Sequence, residues 1–211
     1  MKDLILDYEK EAQGAWLLAT LLRHPPTVEQ LRSLREIEPD GSDGGFSGCI
    51  AQEDDLEACD MRLRVEHMRL FGGLKEGYGP RPPYESLWRE GQMLADCTVA
   101  LSELYFQAGY SRQASGVPAD HLCEELFFRA ALLNGEAEQR AQDNVEEADN
   151  LAAIREKLDA EHLRQWVPDY AKEMGAQTSE PFYKALSEAL WTAVAPEAPG
   201  LRRVDGETNE M

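Results

Sequence analysis

The chain has 211 residues, 43% of them hydrophobic, with 40 acidic against 21 basic side chains and a formal net charge of −19. Those numbers allow a sizeable buried core and argue against nucleic-acid phosphates and anionic lipid as partners, because like charges repel. No run of about 18 apolar residues is present to span a bilayer, and Asp3 and Asp7 interrupt what a signal peptide would need as its apolar region.

Asp3 to Arg23 opens the chain with apolar residues at helical spacing (Leu4, Tyr8, Ala12, Ala15, Trp16, Ala19, Leu22), and His24-Pro25-Pro26 ends that helix. Thr27 with Gln30 reads as a capping box ahead of a short helix carrying Leu31, Leu34 and Ile37. Glu38 to Gly48 holds four glycines, a proline and two aspartates and is expected to be an exposed loop. Helix resumes over Asp54 to Phe71, with Leu56, Cys59, Leu63 and Met68 facing inward. Gly72 to Pro83 contains four glycines and three prolines and cannot be helical; it is expected to fold over the helical body.

The next helix is expected from Tyr84 through Gln107, with Gly109 as its stop. After a connector at Ser111 to Pro118, another starts at Ala119 or Asp120 and ends at Asn134-Gly135. Glu136 to Lys157 reads as a solvated helix, and Ala160 to Met174 as one kinked or broken at Pro168. The last helix, Glu180 to Val194, takes Ser179 as N-cap and Pro181 near its start. The expectation is an all-α domain of seven to ten helices over residues 1–194, with any sub-domain hinge near 109–118. Residues 195–211, rich in Pro, Glu and Gly, read as a disordered acidic tail.

Four well-separated cysteines without a CxxC pair read as reduced, packed thiols, and four histidines without HxxxH spacing make a metal site a poor fit. Two readings of Asp120-His121 stand side by side. Asp120 can cap a helix start while His121 pairs with Glu125 at i,i+4; alternatively the group is a polar anchor at a groove edge, receiving cationic side chains. A general-base role for His121 lacks company: there is no Gly-x-Ser-x-Gly elbow, second ligand histidine or phosphate-binding glycine loop. Most of the aromatic residues read as core, whereas Tyr78 and Tyr84, in or beside the Gly/Pro loop, are expected to line a groove. Glu66 is expected to anchor backbone amides of that loop. A mobile loop beside aromatics suits a helical or extended apolar peptide.

These segments together resemble the TorD/DmsD/NarJ family of redox-enzyme maturation chaperones. The matching residues are Glu66-His67-x-x-Leu70-Phe71, Gly79-Pro80-x-Pro82-Pro83-Tyr84-Glu85-Ser86, Pro118-Ala119-Asp120-His121 with Glu125-Leu126-x-Phe128, and His162-Leu163-x-x-Trp166-x-Pro168, in that order. The resemblance covers about residues 10 to 192 and implies a TorD-like all-helical fold, a cytoplasmic location and no enzymatic activity or cofactor. It further implies binding of the twin-arginine leader and apo-subunit of a molybdenum-containing oxidoreductase, as monomer or homodimer, before export. A client without such a leader, as in the NarJ branch, is the alternative; a small hydrolase using His121 is a weaker one. Peptide-binding residues carried over or read from the pattern are Asp120, His121, Tyr84, Trp88, Glu66, Phe71, Pro83 and Glu125. Ala119 stands where the family usually has an acid, His67 where Tyr is common, and the Gly72–Gly79 loop is extended. These departures bear on the client more than on the fold.

Overall fold

The computed structural model describes residues 2–36, 45–51, 53–72, 79–112 and 116–195. Ten α-helices account for the regular structure there: α1 Lys2–Arg23, α2 Val28–Glu36, α3 Phe46–Ala51, α4 Leu56–Phe71, α5 Glu85–Arg89, α6 Asp96–Gln107, α7 Leu122–Ala141, α8 Val145–Leu158, α9 Arg164–Gln177 and α10 Pro181–Val194. A π turn, Asp159–Leu163, joins α8 to α9. Among the described residues the only β feature is one isolated bridge, Tyr84 to His121. None of the described helices is long and apolar enough to cross a membrane.

Local chemistry sets several boundaries. The capping box forms as expected, with Thr27 N–H donating to Gln30 Oε1 at 2.8 Å and Gln30 N–H to Thr27 Oγ1 at 3.3 Å. Asp55 caps α4 by accepting from Ala58 N–H, and Pro181 occupies the first turn of α10. The Ser179 cap is not formed: Glu180 stands at the N-cap, and its N–H goes to Thr178 Oγ1.

The α7 helix is the central element. It packs along α1 on one side and α8 on another, while α10 packs against α9, α3 and α1. Twelve of its residues are buried, among them Leu126, Phe128 and Leu133. The fully buried Trp166, Tyr170 and Tyr183 from α9 and α10 complete the core. Two buried arginines are paired, as desolvation requires. Arg129 of α7 meets Asp159 at 2.9 Å and also Glu11 of α1, and Arg155 of α8 meets Glu136 of α7 at 2.6 Å.

Tertiary contacts override several sequence expectations. The helix expected over 84–107 is two helices, because Glu90 turns back to accept the Asp96 and Cys97 N–H groups of α6. The reversal passes through Gly91 and Leu94 at positive φ. The α7 helix runs through Asn134-Gly135 to Ala141. Gly135 is a close-approach site rather than a stop, since a Cβ there would stand 2.9 Å from Leu151 Cδ1 of α8. Helix α3 occupies the end of the glycine-rich stretch, where Phe46 packs on Phe182 with centroids 5.0 Å apart. Pro168 lies inside α9 without breaking it; the departure from α geometry is the π turn just ahead. Met68, expected inward, is 56% exposed, as is Trp16 of the α1 apolar set. Ile37 and Tyr78, most of the Gly72–Gly79 loop and residues 196–211 lie outside the described residues.

Cys59, Cys97 and Cys123 are buried free thiols, and burial pushes Cys123 up to about 12. They are packing residues, as their separation implied.

Candidate functional site

Two segments 37 residues apart are laced together where α5 and α7 begin. Leu122 N–H donates to Pro83 O at 2.9 Å, and Glu85 N–H donates to Asp120 O at 2.8 Å. Asp120 Oδ2 accepts from Ser86 N–H at 3.1 Å. Asp120 therefore caps the first turn of α5 rather than its own helix. His121 is the N-cap of α7, its Nδ1 accepting from Cys123 N–H at 3.1 Å. That bond uses Nδ1 as an acceptor. Burial lowers the His121 pKa to about 4, despite Asp120 beside it. The Tyr84 ring stands edge-on to His121, with centroids 4.8 Å apart. From α6, Tyr105 O–H donates to Ala119 O at 2.8 Å and fixes the turn from behind.

A carboxylate group fills the space beneath. Glu85 is fully buried, paired with Arg89 and with His162 Nδ1 of the π turn at 2.8 Å. Glu125 is also fully buried, and neither of its oxygens has a hydrogen-bond partner. The expected His121–Glu125 pair is therefore not formed, because the histidine ring turns to the Cys123 amide. Burial, then the charges of Glu85 and Asp120, hold the Glu125 carboxyl well above its ordinary range, opposed by the Trp166 indole. Among the described residues no group of three or more His, Cys, Asp or Glu side chains could hold a metal ion.

Pro83, Tyr84, Asp120 and His121 are thus brought together, with Glu125 directly behind them. Trp88 lies beside the group, its indole N–H donating to Pro82 O at 3.1 Å and its ring beneath the Arg81 guanidinium at 5.2 Å. Tyr84 and Trp88 are partly exposed, whereas Pro83, Asp120, His121 and Glu125 are buried. Glu66 and Phe71 face α10 instead. Glu66 accepts from Arg69 and from Thr178 O–H at 2.6 Å, and Phe71 packs on His67 and Tyr183. The loop-anchoring role expected of Glu66 finds its carboxylate already engaged in that way.

The sequence reading missed a cleft of about 310 Å³ between α1 and α7, on the other side of the same turn. Trp16, Arg23, Tyr110, Glu124 and Phe127 form its walls. The signal was available: Phe127 and Phe128 are consecutive, so a helix cannot point both at one core.

The family model described as nitrate reductase delta subunit matches residues 29–172. No curated protein sequence matches the chain significantly. A crystal structure described as a redox enzyme maturation protein from Archaeoglobus fulgidus is similar, with a TM-score of 0.54 at 20% identity. That likeness covers 86% of this chain and 91% of the other and concerns the fold. With its ordered motifs folded into one helical body, the chain belongs to the nitrate reductase delta subunit family, the TorD/DmsD/NarJ group of redox-enzyme maturation chaperones.

Proposed function

We propose that this chaperone acts in the cytoplasm by binding the twin-arginine leader and apo-subunit of a molybdenum-containing oxidoreductase, holding the client until its cofactor is inserted and export can follow. It works by binding and not by catalysis. The observation that carries the reading is the lacing of Pro83–Ser86 to Asp120–Leu122, which makes two separated motifs a single rigid edge. Tyr84 and Trp88 are the direct contacts on that edge. Pro83, Asp120, His121 and Glu125 hold its shape, and Glu66 with Phe71 forms a second contact surface toward α10.

The physical fit is with a peptide that is basic in one part and moderately apolar in the next, set against a chain of net charge −19. Burying about 400–600 Å² of apolar peptide surface at ~25 cal/mol/Å² gives roughly 10–15 kcal/mol gross, and ordering the peptide leaves micromolar affinity. A NarJ-like client without such a leader is the second reading, favoured by the name of the matching family. Calorimetric titration with an Arg-Arg leader peptide and its Lys-Lys counterpart separates them. The leader reading expects a clear preference for Arg-Arg and about a tenfold loss in Tyr84→Ala, by removal of an aromatic contact. Equal affinity for the two peptides, or none, counts against leader recognition.

A further inference from the structure

Arg23 closes α1 and lies across the α1–α7 cleft. Its Nη1 is 3.7 Å from Glu124 Oε1, and its guanidinium carbon is 5.9 Å from the Phe127 ring centroid. Both contacts are at the long end for their kind, where a close pair would sit below about 3 Å and a stacked guanidinium nearer the ring. Glu124 is 2% exposed, whereas Arg23 keeps access to solvent. Two turns earlier on α1 stands Trp16, 56% exposed and edge-on to Phe127 at 6.4 Å. Ala130 and Ala131 keep the floor open. An exposed tryptophan, a buried carboxylate and a second aromatic face are the parts of a guanidinium receptor.

From these contacts we infer that the α1–α7 cleft is an arginine-binding subsite for the client peptide, and that Arg23 holds its place while the peptide is absent. The inference rests on the peptide-binding reading above and deepens it. An incoming arginine meets Glu124 and the Phe127 face in place of Arg23, while its apolar neighbour covers Trp16. Glu124 lies one turn beyond His121, so a single extended peptide reaches the cleft and the Tyr84 edge across the start of α7. The volume, about 310 Å³, accommodates one or two side chains and not a folded segment.

The test uses the full chain, a blocked Leu-Arg-Arg-Val-Leu-Leu peptide, its Lys-Lys counterpart and ethylguanidinium. Arg23→Ala removes the internal competitor, so it tightens the Arg-Arg peptide by about threefold to tenfold and leaves the Lys-Lys peptide unchanged. Arg23→Lys gives an intermediate result. Trp16→Ala weakens the Arg-Arg peptide about tenfold at an unchanged melting temperature, because Trp16 is mostly exposed. Ethylguanidinium produces saturable shifts at the Trp16 indole N–H and the Phe127 ring in NMR spectra. If Arg23→Ala weakens the peptide or leaves its affinity unchanged, the subsite is overturned. The chain's own Arg202-Arg203 is the rival occupant. Should Arg202→Ala with Arg203→Ala tighten peptide binding, that pair fills the cleft and the inference is again overturned. Ethylguanidinium shifts without peptide binding would leave the subsite standing and remove the leader reading. Peptide binding indifferent to Trp16, with no ethylguanidinium shifts, would do the reverse.

Discussion

Glu85, Asp120 and Glu125 share the space behind the α5–α7 turn, yet their circumstances differ. Glu85 has Arg89 and His162, and Asp120 has the Ser86 amide, whereas Glu125 has no hydrogen-bond partner for either oxygen. Its raised pKa means that the folded state holds a proton which the unfolded chain releases above about 4.3. Stability from this group is therefore lost as pH rises through the raised value. His67 and His121 act in the opposite sense. Burial lowers both to about 4, so the unfolded chain takes up protons first and stability falls as pH drops from about 6.5 toward 4. Glu125→Gln removes the carboxyl and keeps the shape. Its melting temperature should exceed the parent's by several degrees at pH 8.5, and the two curves should converge near pH 5. Parallel melting curves from pH 5 to 9 would show that the carboxyl titrates normally. Spacing along one helix placed Asp120, His121 and Glu125 together but assigned their partners wrongly. The Ser86 amide that takes Asp120 belongs to α5, and the Glu85 charge that acts on Glu125 lies 40 residues away in the chain, so i,i+4 arithmetic carries no trace of them.

At the scale of elements, the legible boundaries were those written in local chemistry: the Thr27–Gln30 box and Gly109 at φ 62 after α6. Helix α3, the α5–α6 break and the passage of α7 through Gly135 depend on what packs against them, and composition misread all three. Gly79 is the sharpest instance of such a packing demand. An added Cβ would fall 2.1 Å from Arg69 O, a backbone atom at the end of α4 that cannot swing aside. The chain enters the Pro80–Pro83 segment at this contact, so the glycine sets how closely that segment approaches α4. Gly79→Ala must push the two backbones apart, at a cost of about 2–3 kcal/mol, typical of overpacking. A melting temperature lower by about 5–10 °C is expected, with weaker peptide binding because the Tyr84 edge shifts with the segment. A drop of less than about 2 °C would mean that the loop moves freely and does not position the site.

For the whole molecule, the fold class was readable because helical periodicity runs through the chain and four weak motifs keep family order. The lacing of Pro83–Ser86 to Asp120–Leu122 joins two of those motifs: each caps or bonds the start of the other's helix. The net charge of −19 was ambiguous on composition alone, since it serves solubility as well as recognition. Salt separates the two. If the acidic field guides a basic peptide, association should slow about tenfold between 50 mM and 500 mM salt as the Debye length shrinks from about 14 to about 4 Å. Dissociation, governed on this proposal by contacts at Tyr84 and within the cleft, should change little. Stopped-flow tryptophan fluorescence reads both rates, because Trp16 lines the α1–α7 cleft and Trp88 stands beside Tyr84, the two proposed contact regions. An association rate indifferent to salt would assign the charge to solubility and leave recognition to the aromatic surfaces. In that case a neutral apolar peptide would bind as fast as a basic one.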